Sequence, residues 1–124
     1  MPHLVIEVTR ELLPQPGGAK SLLPVLGEIH NEFSHLGFAR LEDMKSRVVV
    51  QDAALAGGDE EAQFIVATLT TTQDRPQTMQ RAMADLIRSR LHQFIESQQL
   101  ACSWQCCVFF RHVGTEGYIK SQSR

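Results

Sequence analysis

The fold is decided by Gln63–Leu91, QFIVATLTTTQDRPQTMQRAMADLIRSRL, in which one pattern of apolar residues gives way to another. The first ten residues are rich in β-branched side chains and predict a strand that runs to Thr72. Asp74 or Arg75 is placed to cap a helix, and Pro76 suits its first turn. Steps of four and three then predict an amphipathic helix with one apolar face, formed by Met79, Met83, Ile87, Leu91 and Phe94.

A second strand is predicted after this helix, which we expect to end near Gln98. The segment Ala101–Arg111 (ACSWQCCVFFR) has the apolar and aromatic composition of a strand. Gly114 and Gly117 follow it and mark a tail, in which we expect a short hairpin before Tyr118 and Ile119. This half of the chain therefore reads strand, helix, strand.

The preceding half has the same order of elements. His3–Thr9 (HLVIEVT) predicts a strand that begins almost at the N-terminus, and Met44–Asp52 (MKSRVVVQD) predicts a second one. Between them a helix is predicted to end before Gly37. Its apolar face is formed by Leu22, Leu26, Ile29, Phe33 and Leu36. The stretch Ala53–Glu61, rich in glycine and acid, is expected to connect the two halves.

The repetition at an offset of roughly sixty residues indicates a duplicated β-α-β unit. With 124 residues and 43% hydrophobic content, we expect a single domain over residues 1–124, with pseudo-repeats 1–61 and 62–124. One β-α-β unit cannot cover its own sheet, so the prediction is an α+β fold, a four-stranded mixed sheet with both helices on one face. We expect other subunits of a homo-oligomer to cover the opposite face, through Val48, Val50, Ile65, Ala67, Trp104 and Val108.

Composition excludes several classes of partner. Twelve Lys and Arg against fourteen Asp and Glu give a net charge of -2, which argues against nucleic acid. The apolar runs are short and the start lacks the pattern of a signal peptide, so we expect a cytoplasmic protein without a membrane partner. The five histidines lack the paired spacing of a zinc site, and no metal is expected. The three cysteines are interpreted as small hydrophobic residues in a reducing compartment: Cys102, Cys106 and Cys107.

Pro2 is the candidate for chemistry. A small second residue ordinarily allows Met1 to be removed, which would leave a secondary amine at the start of the first predicted strand. An α-amine has an ordinary pKa of about 8, and burial beside cations lowers that value toward neutrality. The rigid ring, followed at once by a strand, would hold this nitrogen in place as a base. The alternative is that Pro2 is an ordinary second residue on a disordered terminus.

These residues, taken together, resemble a known family. The start Met1–Glu7 (MPHLVIE), the strand Met44–Val48 (MKSRV), the turn Asp74-Arg75-Pro76 and the duplicated plan look like the 5-carboxymethyl-2-hydroxymuconate isomerase family of the tautomerase superfamily. The resemblance covers nearly the whole chain. It implies a tautomerase/MIF-like fold, a homotrimer and no metal or cofactor. It also implies that Pro2 is the catalytic base of an isomerase that moves a proton along a 2-hydroxymuconate-type or keto acid from aromatic-ring degradation.

The resemblance also implies residues that bind the small anionic substrate. Arg75 matches the arginine after the strand-to-helix turn, which binds a substrate carboxylate; the alternative is a solvated arginine. Arg47 and Lys45 lie two apart in one strand and share a face. The family has Arg-x-Arg here, so Lys45 is a departure that leaves the substrate open, and we favour Arg47, which could instead form a salt bridge between subunits. Tyr118 matches an aromatic residue near the proline. Apart from the resemblance, His112 at the end of the fourth predicted strand is a weaker candidate for this pocket.

Two other functions are compatible with the sequence. The same order of elements occurs in ferredoxin-like domains, which can bind a small ligand without reacting with it. A tautomerase relative with a different substrate is the other alternative. The state of the terminus separates the isomerase from the ferredoxin-like alternative, because a retained Met1 would cover the proposed base.

Overall fold

The computed structural model describes residues 1–123. It contains four strands, β1 (His3–Thr9), β2 (Lys45–Gln51), β3 (Gln63–Thr71) and β4 (Trp104–His112). The two α-helices are α1 (Leu23–His35) and α2 (Gln77–Glu96). A 3₁₀-helix, Gly18–Leu22, leads directly into α1. Within the described residues, no helix has both the length and the apolar character needed to cross a membrane.

The strands form one mixed sheet in the order β2-β1-β3-β4. β1 is parallel to β2, β3 is parallel to β4, and the two pairs meet where β1 runs antiparallel to β3. The predicted duplicated β-α-β fold is therefore confirmed. The two strands of each unit are direct neighbours, whereas a ferredoxin-like domain has a split β-α-β arrangement. The topology thus differs from that of the ferredoxin-like alternative.

Both helices pack on one face of the sheet, as predicted. The core combines alternate residues of the two central strands, such as Leu4, Ile6 and Leu69, with the apolar faces of α1 and α2. Most of the predicted helix faces are buried: Leu22, Leu26, Ile29, Phe33, Met83, Ile87 and Leu91. The prediction was wrong at the end of α1, where Leu36 is 56% exposed. At the end of α2, Phe94 is partly buried against the core as predicted, and its neighbour Ile95 is fully buried because the helical repeat of 3.6 residues brings it under Leu91.

The opposite face of the sheet carries a second apolar surface, but its residues differ from those predicted. All the predicted ones pack against the helices: Val48, Val50, Ile65, Ala67, Trp104 and Val108. Because alternate residues of a strand point to opposite faces, the residues next to them in each strand lie on the face without helices. We call this helix-free surface the open face, and its apolar residues include Val5, Val49, Phe64, Val66 and Phe109. Phe109 is 59% exposed and Val49 is 44% exposed.

Two local predictions near the site were also wrong. The tail forms a 3₁₀ turn at Thr115–Gly117, and no hairpin occurs in its described residues. Pro76 is itself the N-cap residue of α2, and no side chain caps this helix. Arg75 cannot act as the cap because a capping side chain must accept from backbone amides, whereas a guanidinium can only donate. Its Nη1 donates to the carbonyl oxygen of Phe38.

Candidate active site

The chain terminus lies where the two halves of the sheet meet. Since β1 runs antiparallel to β3, with His3 opposite Thr70, the start of β1 lies beside the end of β3. The Met1 amine donates a hydrogen bond to the Thr72 hydroxyl oxygen at 2.8 Å. Pro2 is buried, and its carbonyl oxygen accepts a 3.1 Å bond from the Lys45 amide. The first two residues are therefore fixed on the sheet rather than frayed.

Met1 forms part of the wall of two clefts. The larger cleft has a volume of about 840 Å³, and its wall includes His3 and the charged residues Arg40, Glu42, Asp43, Lys45 and Lys120. The smaller cleft, of about 340 Å³, includes Pro2, Arg75 and Gln73 in its wall. Arg40 and Asp43 line both clefts, as Met1 does. Removal of Met1 would therefore open the space that the two clefts share beside Pro2.

The pKa of the Met1 amine is shifted by its surroundings in this position. Its pKa is lowered from the ordinary value, chiefly because burial removes water from the charged form. The negative charge of Asp43 acts in the opposite direction, and the positive charges of Arg75 and Lys120 lower the pKa further. A neutral amine is therefore easier to form here than at an ordinary chain terminus.

Arg75 stands at the smaller cleft, where its guanidinium is only partly satisfied. Nη1 donates to the Phe38 carbonyl oxygen, and Nη2 lies 3.5 Å from Oε1 of Gln73. Its Nε is buried and has no hydrogen-bond partner, and burial lowers the pKa of the group. Within residues 1–123, no carboxylate forms an ion pair with Arg75. The group still keeps its charge, since arginine is not deprotonated in proteins, and it can receive an anion.

Lys45 and Arg47 share the open face, but only Lys45 reaches a cleft beside Met1. The Lys45 ammonium donates to the Glu42 carbonyl oxygen at 2.8 Å and lines the larger cleft. Arg47 lies two residue pairs further along the sheet, opposite Val5, and it lines neither cleft. Its Nη1 is 3.2 Å from Nδ1 of His3. Burial lowers the pKa of His3, and the charges of Arg47 and Lys45 lower it further.

Tyr118 reaches the larger cleft from the C-terminal tail. Its hydroxyl lies 3.5 Å from the sulfur of Met1, and the ring is partly buried. Residues 118–122 supply the wall on this side. His112, the weaker candidate, is exposed at the end of β4 and lines neither cleft. The structure thus brings four of the predicted site residues around Met1: Pro2, Lys45, Arg75 and Tyr118.

Three residues of this site did not emerge from the sequence. Thr72 binds the terminal amine, while Asp43 and Lys120 act on its charge. Thr72 could have been found from an antiparallel register of the first and third strands, which places it beside the terminus. Asp43 and Lys120 lie in a turn and a tail, and their sequence patterns do not indicate where these segments run.

Comparisons with known proteins establish the fold. No protein-family model matches the sequence, and no curated protein sequence matches it significantly. Among solved structures, a 5-carboxymethyl-2-hydroxymuconate isomerase from Deinococcus radiodurans R1 aligns with a TM-score of 0.79 over 98% of this chain and 90% of that one, at 16% identity. A fused 4-OT wild-type symmetric trimer aligns with a TM-score of 0.72 over 94% of this chain and 89% of that one, at 12% identity.

A macrophage migration inhibitory factor-like protein from Entamoeba histolytica has the same arrangement. It aligns with a TM-score of 0.69 over 98% of this chain and 96% of that chain, at 13% identity. The tautomerase/MIF-like fold expected from the sequence is therefore confirmed. At these identities the likeness establishes the fold, and the function has to be argued from the site.

Proposed function

We propose that this protein is a tautomerase-type isomerase that uses the nitrogen of Pro2, freed by removal of Met1, as its base. The proposed substrate is a 2-hydroxymuconate-type or keto acid of aromatic-compound degradation. The observation that carries the proposal is the anchored terminus, with Arg75 and Lys120 as its cationic neighbours. The named isomerase and the fused 4-OT protein, which have this fold, support the class of reaction.

The surroundings of Met1 carry over to Pro2. Standard bond lengths place the two backbone nitrogens about 3 Å apart. Burial and the charges of Arg75 and Lys120 would therefore act on the freed nitrogen of Pro2 as they act on the Met1 amine, and they would lower its pKa. A base is most effective when its pKa lies near the working pH, so this shift favours proton abstraction.

The proposed reaction is an isomerisation without any other reactant. Pro2 takes a proton from an enol hydroxyl or an allylic carbon, and the electron pair moves into the conjugated chain. The protonated nitrogen then returns the proton to another carbon of the same chain, so atoms and electrons balance. Arg75 and Lys45 would bind the carboxylates, and their charge would stabilise the intermediate. The ring of Tyr118 would form an apolar wall beside the conjugated chain.

We also propose that the active form is a homotrimer. Exposed apolar residues such as Val49 and Phe109 occupy the open face, and a surface of this kind is typical of an interaction site. One protein with this fold is described as a symmetric trimer. Other subunits packed on the open face would cover these residues and also approach Arg47, which is exposed there.

The variant Pro2→Ala tests the base. Alanine also allows Met1 to be removed, but its primary amine is less basic and can rotate, so we expect activity to fall by about 100-fold. The assay follows ultraviolet absorbance with several hydroxymuconates and phenylpyruvate, after intact mass has shown that Met1 is absent. Pro24→Ala, at an exposed position in the first turn of α1, is the matched control. Full activity of a correctly processed Pro2→Ala protein would contradict the proposal, and a retained Met1 in the active wild-type protein would do the same.

A further inference from the structure

Thr72 is the residue that holds the Met1 amine, and the proposed mechanism gives it no role. Its hydroxyl oxygen lies 2.8 Å from the amine nitrogen, and this is the hydrogen bond that the structure shows for the side chain. Removal of Met1 would take away this partner. The hydroxyl would then stand partly buried beside the opened space, with both its donor and its acceptor capacity available.

The position of the Met1 amine nitrogen has a particular geometry. It lies at hydrogen-bond distance from the Thr72 hydroxyl, and standard bond lengths place it about 3 Å from the Pro2 nitrogen. Any atom that replaces the Met1 amine would therefore be within reach of a hydroxyl and of the proposed base at once. A catalytic site needs such a position for the reacting group.

We infer that Thr72 contacts the substrate, and that its hydroxyl binds the enol or carbonyl oxygen next to the carbon that exchanges a proton with Pro2. The inference rests on the proposed function and adds the residue that would recognise the reacting oxygen. In this arrangement the oxygen takes the place of the Met1 amine, while the carboxylates lie toward Arg75 and Lys45 in the two clefts.

The hydroxyl is suited to this role because it can change from acceptor to donor. It accepts a bond from the Met1 ammonium in the structure, and a hydroxyl can equally donate to a substrate oxygen. When Pro2 removes the proton, the electron pair moves toward that oxygen and makes it an enolate. A bond donated by Thr72 would become stronger as this charge develops, which lowers the barrier. The proton then leaves Pro2 for another carbon, and no further reactant is needed.

The backbone around Thr72 is held in place before substrate binds. Thr71, the last residue of β3, is buried, and its hydroxyl donates to the carbonyl oxygen of Gln73 at 3.4 Å. The Thr71 carbonyl oxygen accepts a 2.8 Å bond from the Val113 amide. Thr72 therefore stands on a fixed turn, and its hydroxyl needs only a rotation about χ1 and the C–O bond to reach a new partner.

The test compares Thr72→Val, which removes the hydroxyl and keeps the shape, with Thr72→Ser, which keeps the hydroxyl. We expect kcat of the valine variant to fall about tenfold or more with a smaller change in KM, since the bond strengthens in the transition state. The serine variant should keep kcat within about threefold. Thermal unfolding of both variants, compared with the wild-type protein, shows whether either one is misfolded.

The possible outcomes separate this inference from the proposed function. An active wild-type protein whose valine variant is equally active would overturn the role of Thr72 and leave the function of Pro2 intact. Equal losses in the valine and serine variants would also overturn it, because the hydroxyl that serine keeps would then not preserve kcat. If the wild-type protein has lost Met1, is folded and is inactive with every substrate, the proposed function is wrong, and so is this inference.

Discussion

At one end of the sheet β1 begins and β3 ends, and at the other end β3 begins and β1 ends. The first end holds the Met1 amine with Arg75 and Lys120 as cationic neighbours. At the second end, a cleft of about 520 Å³ has Glu11, Glu60 and Glu61 in its wall. The two ends are related by the duplicated β-α-β plan, yet one is rich in cations around an amine and the other is rich in carboxylates.

This difference shows that the backbone arrangement is repeated at the two ends of the sheet, whereas the charged side chains are not. The duplication supplies an equivalent strand start at each end, but the start of β3 is a continuous chain that follows the loop from Ala53 to Ala62. Carboxylates at that end would repel an anionic substrate, whereas Arg75 and Lys120 would attract one at the other end. The proposed activity therefore belongs to one end of the sheet, and the opposite end offers matched controls.

The largest expected effect comes from blocking the terminus. A lysine inserted between Met1 and Pro2 gives a large second residue, so Met1 is retained and the Pro2 nitrogen stays in a peptide bond. We expect the ultraviolet assay to show a loss of at least about 100-fold. The same insertion between Gly57 and Gly58, which are exposed at the acidic end, should leave activity nearly unchanged. Equal losses of activity in the two insertion variants would contradict the assignment of the activity to the end of the sheet that holds the terminus.

A smaller effect is expected from the charge that would bind the carboxylate. Arg75→Gln should lower kcat/KM by about 10- to 100-fold, mainly through KM, because a charged hydrogen bond to the substrate is lost. Arg10→Gln is the control at the acidic end, where the exposed Arg10 pairs with Asp52 at 2.5 Å. Its removal should change kcat/KM by less than about twofold. If Arg75→Gln loses thermal stability while KM is unchanged, the role of Arg75 is limited to its bond with Phe38.

The smallest expected effect is a shift in pH dependence. In the proposed mechanism Pro2 acts as a base only when it is neutral, so we expect the rate to fall as pH drops through its pKa. Lys120→Gln removes a charge that lowers the amine pKa, and the acidic limb should move to higher pH. Asp43→Asn removes a charge that raises the pKa, and the limb should move to lower pH. Profiles of kcat/KM against pH provide the measurement, with Glu61→Gln as the unshifted control. If the acidic limbs of the Lys120→Gln and Asp43→Asn variants shift in the same direction, the charges near the amine do not determine the pH dependence of kcat/KM.

The sequence was sufficient for the layers of the fold because apolar periodicity is a local property. Leu26, Ile29 and Phe33 in α1 repeat at helical spacing, and all are buried as expected. The open face was assigned to the wrong residues because Val48, Val49 and Val50 are all apolar. A strand of that composition does not show which side faces the helices, and only pairing with β1 decides it.

The site was predicted in part for a similar reason. Arg75 follows a strand and Pro2 precedes one, so their place at a sheet end can be inferred from the order of elements. The order of elements does not decide between Arg47 and Lys45, because both side chains share one face of the sheet. Only the shape of the end of the sheet brings Lys45 to the cleft. Thr72 depends on an antiparallel register, and Lys120 depends on the path of the tail.

The hydrogen bond between the Lys45 amide and the Pro2 carbonyl oxygen affects how long an aminopeptidase could reach the chain end during folding. Once β2 has paired with β1, Pro2 is buried and the Met1 amine is engaged, so the peptide bond between the two residues lies against the sheet. An aminopeptidase must hold an extended chain end to cleave it. If Met1 is removed as proposed, the time available for this cut is the interval between synthesis of the first strand and arrival of the second, more than forty residues later. Under the proposed function, protein that folds before the cut would be stable but inactive.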